Sequence, residues 1–299
     1  MQYEVIIIGG SYSGLSAALA LGRSLRQVLI IDSGQPCNQQ TPHSHNFLTR
    51  DGEKPADIAA KAREQVQQYK TVSFLMDKAE TAKQIPGGFE IVTESGKSFS
   101  GKKLICATGI KDKLPDIEGV SDCWGISVIH CPYCHGYENR NQRTAILADG
   151  ERALHLAGLV RNLSPDVSIV TNGKASFTNE QTALLMRHNI DIIETPLSRI
   201  KHDNGQLREL EFSDGHTRRF HAMYAALPFE PHSGIPFQLG CELTEHGHVK
   251  VDHLQKTSVP GVYACGDNSS AMRSVAAAVA SGNLAGAIVN KELTDEHFV

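Results

Sequence analysis

No run of about 18 or more apolar residues occurs in the 299-residue sequence, which excludes a membrane-spanning helix. A basic excess is also missing. Twenty-nine Lys and Arg against 33 Asp and Glu leave a formal net charge of −4, whereas nucleic acid or an anionic membrane would require a concentrated basic face. The opening residues MQYEVIIIGG carry neither a basic stretch nor a small-residue cleavage site, so a cytoplasmic protein is expected. Repeats of solenoid period and low-complexity tracts are absent. Cysteine is sparse: seven residues, an odd number, do not make a disulfide framework. In a reducing compartment a close pair is catalytic or metal-binding rather than structural, and the single such pair is Cys131 and Cys134.

What is present suits two globular domains of ordinary size, since 40% of residues are hydrophobic and 21% charged. The chain opens with a βαβ pattern: a buried strand at Val5–Ile8, an Ala- and Leu-rich helix at Gly14–Ser24, and a strand at Val28–Ile31 that ends on Asp32. A polar loop over 36–52 precedes an amphipathic helix from Pro55 to Tyr69. Short strands are expected near Ser73–Met76, Gly88–Thr93 and Lys97–Cys106, the last running into Ala107-Thr108-Gly109. Proline and charge between Lys113 and Gly119 mark a boundary. A second βαβ pattern starts near Thr144, more strands follow to about Leu227, and PFEPHSGIP has the composition of a return linker. An Ala-rich helix is expected from Ser274 to Asn290. The fold class expected is α/β, with two Rossmann-like three-layer domains, the second (114–229) inserted between the parts 1–113 and 230–299 of the first.

Glycines between a strand and a helix let backbone N–H groups approach a pyrophosphate, and the helix N-terminus favours the anion. The first turn reads Gly9-Gly10-Ser11-Tyr12-Ser13-Gly14. Gly9 and Gly14 supply the first and third fingerprint glycines, while Ser11 stands where the second would be and narrows the room. Asp32 follows Gly9 by 23 residues, about where an acid meets an adenosine ribose. A plain tight turn and a capping Asp are the bland alternatives, and the combination favours a dinucleotide.

In His130-Cys131-Pro132-Tyr133-Cys134-His135, two residues separate the cysteines, so the sulfurs can close a small disulfide ring. Zinc or two inert thiols are the alternatives. A structural zinc site wants four ligands, and no second CxxC or HxxxH pattern occurs. No metal is expected. Cys37, Cys106, Cys123, Cys241 and Cys265 have no comparable partner, and Cys106 and Cys265 suit small core positions.

These features together resemble the low-molecular-weight thioredoxin reductase family over nearly the whole chain. TSVPGVYACGD (Thr257–Asp267) is similar to its second FAD motif, Thr108-Gly109 belong to a segment similar to its ATG turn, and Asn46 matches an Asn near the flavin ring. The resemblance implies FAD as cofactor, with Gly266 and Asp267 at the ribityl chain and Arg273, Ser274 and Val275 at a helix end facing the flavin carbonyl, where a helix dipole favours negative charge. It implies a homodimer and assigns Cys134 as the flavin-side sulfur and Cys131 as the one that meets the substrate. His135 stands where thioredoxin reductases carry Asp. That pattern is similar to dithiol oxidases that close disulfides in natural products such as gliotoxin and holomycin. An imidazole titrates near neutral pH and suits proton exchange in either direction; a merely packing His is the alternative.

The second turn reads Ala148-Asp149-Gly150-Glu151-Arg152-Ala153. Its first glycine is replaced and two carboxylates stand where phosphate would lie. Twenty-three residues on is Thr171, then Asn172, Gly173 and Lys174, with no arginine pair. Use of NADPH is therefore doubtful. The expected reaction exchanges electrons between flavin and a small dithiol or disulfide, with oxygen or another acceptor. A reductase acting on a thioredoxin-like protein, fed by weakly bound NADPH or a ferredoxin-like donor, is the alternative, and a flavin-binding redox sensor without turnover is a third.

Overall fold

A computed structural model describes residues 2–298 of the chain. They form two compact units, one of residues 2–39, 46–111 and 230–298, the other of residues 40–45 and 112–229. Both are α/β units built on parallel sheets. Among the described residues, no helix is long and apolar enough to cross a membrane.

In the first unit, QYEVIII at Gln2–Ile8 is so apolar because it is the centre of the sheet, covered on both faces. Val5, Ile6 and Ile7 are fully buried, and each such side chain contributes about 1.5–3 kcal/mol through burial. Parallel partners flank it: Val28–Asp32 on one side, itself paired with Val72–Met76, and Ser98–Cys106 on the other. The strand Ser98–Cys106 is long enough to serve two further neighbours. Its first half pairs antiparallel with Gly88–Thr93 and its last three residues pair parallel with Val262–Ala264. Five parallel strands thus bring Asp32, Gly9, Ala107 and Cys265 to their carboxyl ends, where open α/β sheets bind ligands.

The helix Tyr12–Arg23 packs against the C-terminal helix Val275–Phe298. A Cβ at Gly282 would stand 2.1 Å from the Ser13 carbonyl oxygen, and one at Gly286 would stand 2.5 Å from that of Ala17. These two glycines, four apart on one helix face, set the backbone spacing. The helix runs eight residues beyond the expected Asn290, because Glu292 and Glu296 grip the buried Lys103, at 3.1 and 2.5 Å. The strand Ala79–Ile85 was not expected: AETAKQI has little apolar character, and it forms through antiparallel pairing with Gly88–Thr93.

The second unit holds a five-stranded parallel sheet in the order Asp191–Ile193, Val167–Val170, Thr144–Leu147, Ala222–Ala225 and Val128–Ile129. A three-stranded antiparallel sheet (Leu197–Asp203, Gln206–Phe212, Thr217–Arg219) accompanies it. Residues 40–45, which the sequence reading assigns to the first domain, group instead with the second unit. The reason is local: Thr41 lies against Gly125, and His45 pairs with Glu138.

Candidate functional site

In the first unit the strand Gln2–Ile8 ends in a turn that needs its glycines. Gly9 has φ +102°, and a Cβ there would stand 2.2 Å from the Ala107 carbonyl oxygen. At Gly14 a Cβ would stand 1.9 Å from the oxygen of Gly9. Ser11 is the N-cap of the following helix, yet its side chain makes no capping bond. The amide end of that helix is left to another acceptor, as an anion-binding corner requires. Asp32 lies beside the turn, with its carboxyl carbon 2.8 Å from where a Gly10 Cβ would be. Arg63, from the helix Pro55–Gln67, donates to Asp32 Oδ2 at 2.8 Å and lies over the Phe74 ring.

The other expected cofactor residues gather at the neighbouring strand ends. Gly266 has φ +81° and packs onto Ser13, and its N–H donates to Ser281 Oγ of the C-terminal helix at 3.0 Å. Asp267 lies 3.7 Å from Arg273. Ser274 caps the C-terminal helix by accepting from the Ala277 N–H at 3.1 Å, with Val275 the first helical residue. Gly109 adopts φ +65° after the strand Ser98–Cys106. Thr108 is joined to the Gly266-Asp267 turn through Asn268, whose Nδ2 donates to Thr108 Oγ1 at 3.3 Å and to the Cys106 carbonyl at 2.9 Å. Asn46 is exposed, and its left-handed backbone is held by Asp51, which accepts from its N–H at 2.7 Å. A glycine-lined turn, an uncapped helix end and an acid at the next strand end are the donor set that a dinucleotide such as FAD requires, so the residues fit that group.

In the second unit Cys131 follows the edge strand Val128–Ile129, and Cys134 lies within the single helical turn Pro132–His135. The sulfurs are 2.7 Å apart, so a small shift brings them to the disulfide distance of about 2.05 Å. Both are half-buried. Beneath them Tyr224 of the central sheet is fully buried, and burial, with the charges of Cys131 and Glu138, pushes its hydroxyl far above its usual pKa. His135 is pushed below the ordinary imidazole value, first by burial and then by His45, while the Glu138 carboxylate pulls the other way. A neutral ring at pH 7 can accept a proton. His45 Nδ1 lies 3.7 Å from Glu138 Oε1. Among the described residues no group of three or more His, Cys, Asp or Glu is placed to hold a metal ion.

Also in this unit, the turn at 148–153 is closed by the chain itself. Asp149 Oδ1 accepts from the Ser176 N–H at 3.1 Å, and Glu151 Oε1 accepts from Gln181 Nε2 at 2.7 Å. Gln181 is in turn held by a reciprocal cap with Thr178. Burial opposes the Asp149 charge, but bonds from Ser176 and from the Gly150 amide hold its carboxyl below the usual range. Thr171 Oγ1 is engaged with the Gly173 carbonyl at 2.6 Å.

Arg63, His45, Tyr224 and Asn268 escaped the sequence reading. His45 carried a faint signal in the HSH run before Asn46. The others meet partners distant in the chain and had none.

A profile described as Pyridine nucleotide-disulphide oxidoreductase matches residues 3–282. The chain is 34% identical to a thioredoxin reductase, tcpT, of Claviceps purpurea, over 97% of this chain and 94% of that one. It is 33% identical to a thioredoxin reductase, aclD, of Aspergillus oryzae, over 97% and 96%. Among solved structures, an oxidoreductase from Agrobacterium tumefaciens superposes with a TM-score of 0.92 at 33% identity, covering 99% of both chains. The crystal structure of HlmI superposes with a TM-score of 0.93 at 31% identity, covering 99% of this chain and 94% of that one.

Proposed function

The chain belongs to the pyridine nucleotide-disulphide oxidoreductase family and is an FAD-dependent disulfide oxidoreductase of thioredoxin reductase type, and from that premise we propose that it oxidises a small dithiol without using NADPH. The observation that carries this reading is the closed second turn, whose two carboxylates are bonded to Ser176 and Gln181. Ionised carboxylates at that corner repel a pyrophosphate, and no arginine fork stands at 171–174 to offset them.

In this reading Gly9, Ser11, Gly14, Asp32, Asn46, Thr108, Gly109, Gly266, Asp267, Arg273, Ser274 and Val275 hold FAD. A thiolate of the substrate attacks Cys131 Sγ, and the Cys131–Cys134 bond breaks with Cys134 leaving as thiolate. The second substrate thiol, losing its proton to His135, attacks the mixed disulfide, so that the product leaves as a disulfide and Cys131 is freed. Two electrons have moved from substrate to protein. FAD, when bound, supplies the two-electron acceptor that returns the pair to disulfide and passes the electrons to oxygen or another acceptor.

That two relatives are thioredoxin reductases favours a second reading, an NADPH-dependent reductase of a thioredoxin-like protein. Oxygen uptake with a small dithiol and no nicotinamide decides between them. The oxidase reading expects uptake with the wild type and none with Cys134→Ser at equal flavin content. Uptake that needs NADPH and a thioredoxin-like acceptor contradicts it. A homodimer and a cytoplasmic location accompany this proposal.

A further inference from the structure

Asp32 ends the strand Val28–Asp32 at the carboxyl edge of the first unit's parallel strands. Its carboxyl carbon lies 2.8 Å from where a Gly10 Cβ would be, so the carboxylate rests against the turn that follows Gly9. Oδ2 accepts from Arg63 at 2.8 Å, and among the described residues Oδ1 accepts no hydrogen bond. The pair is open to a ligand, because 16% of the Asp32 side chain and 30% of the Arg63 side chain are exposed. Arg63 is itself held from a second side. Its guanidinium lies 5.0 Å from the centroid of the Phe74 ring, on the neighbouring strand Val72–Met76.

An acid at this strand end meets a ribose hydroxyl of a bound dinucleotide. It also places a negative charge beside the pyrophosphate, where like charges repel. A carboxylate can moreover turn about its last bond and offer either oxygen. Arg63 answers both difficulties. An N–H of its planar fork engages Oδ2 while the Phe74 ring steadies the fork, so Oδ1 is the oxygen left to accept. The cation offsets the charge of the acid without competing for Oδ1. Resting on the FAD reading above, we propose that Arg63 is a positioning residue for the adenosine half of FAD, holding Asp32 so that Oδ1 accepts a hydrogen bond from a ribose hydroxyl.

The test uses full-length protein stripped of flavin and titrated with FAD and with FAD analogues whose adenosine lacks the 2′- or the 3′-hydroxyl. For the wild type, one analogue should bind about tenfold more weakly than FAD. Arg63→Met keeps an unbranched stem against Phe74 but has neither donor nor charge. It should bind FAD about tenfold more weakly than the wild type and distinguish that analogue from FAD by less than about threefold. A general weakening of the fold lowers affinity for all three ligands alike, so their ratio reads positioning alone. Arg63→Lys keeps a cation without the planar fork and should recover part of the FAD affinity but not the full ratio. If Arg63→Met holds no flavin, the ratio is read in Arg63→Lys. Equal affinity of the wild type for FAD and both analogues overturns the assignment, as does a wild-type ratio in the variants. Wild type that binds no FAD at all overturns the flavin reading itself and this inference with it.

Discussion

Residues 9–14 and 148–153 make the same strand–turn–helix corner, one in each unit, and differ in what fills it. At the first, glycines fit under Ala107 and Gly9, while at both corners the N-cap side chain, Ser11 or Asp149, makes no capping bond. At the second, Asp149 and Glu151 are bonded to Ser176 and Gln181, so the corner supplies its own anions. The βαβ scaffold depends on buried strands such as Thr144–Leu147, all four of whose residues are buried. It therefore survives while its ligand corner changes. The second unit shares the frame, carries Cys131 and Cys134 on it, and bonds both carboxylates of its corner internally.

Four tests break or sharpen this contrast. The largest effect is expected from Gly14→Val, whose Cβ would stand 1.9 Å from the Gly9 oxygen. Purified protein should lack the visible flavin spectrum, and full flavin content would contradict the role of the first turn. Next, His135→Asn acts in the other unit and should leave flavin content unchanged while lowering dithiol oxidation about 10²–10⁴-fold, checked by kcat. A substantial loss of flavin in this variant would break the division of labour.

A smaller effect is expected from opening the second corner. Asp149→Gly combined with Glu151→Ala removes both carboxylates but adds no arginine. Flavin reduction by NADPH should rise by no more than about tenfold, the scale of one charge-assisted bond. A large gain would mean that the carboxylates alone exclude the nucleotide.

The smallest effect is a change in pH dependence. In the proposed reaction His135 is the base, and its pKa is already depressed by burial and by His45. Oxidation should therefore fall as pH drops, with the acid limb below the ordinary imidazole value near 6.5. Glu138→Gln removes the opposing attraction and should move that limb to lower pH. His45→Gln should move it to higher pH. A kcat/KM profile indifferent to both would show that neither group acts on His135.

Local patterns were legible in the sequence wherever one segment determines its own structure. Gly9 and Asp32 lie at strand ends, Cys131 lies just past one, and Gly14 and Cys134 lie in the helical turns that follow. The α/β class followed from buried strands such as VLII alternating with helices. What was not legible depends on partners distant in the chain. Arg63 meets Asp32, 31 residues away, and Asn268 reaches Cys106 across 162 residues. Likewise the C-terminal helix runs on to Phe298 because Lys103 holds its last turns. The self-closure of the second corner was only half visible: the carboxylates stood in the motif, but their partners at 176 and 181 came from a loop and the first turn of the helix after it.

The most direct measurement mixes the yellow protein anaerobically with NADPH and, separately, with a small dithiol, and follows flavin absorbance in a stopped-flow instrument. Rapid bleaching by the dithiol and little or none by NADPH is the result expected here. Rapid bleaching by NADPH, with the dithiol inert, would contradict it.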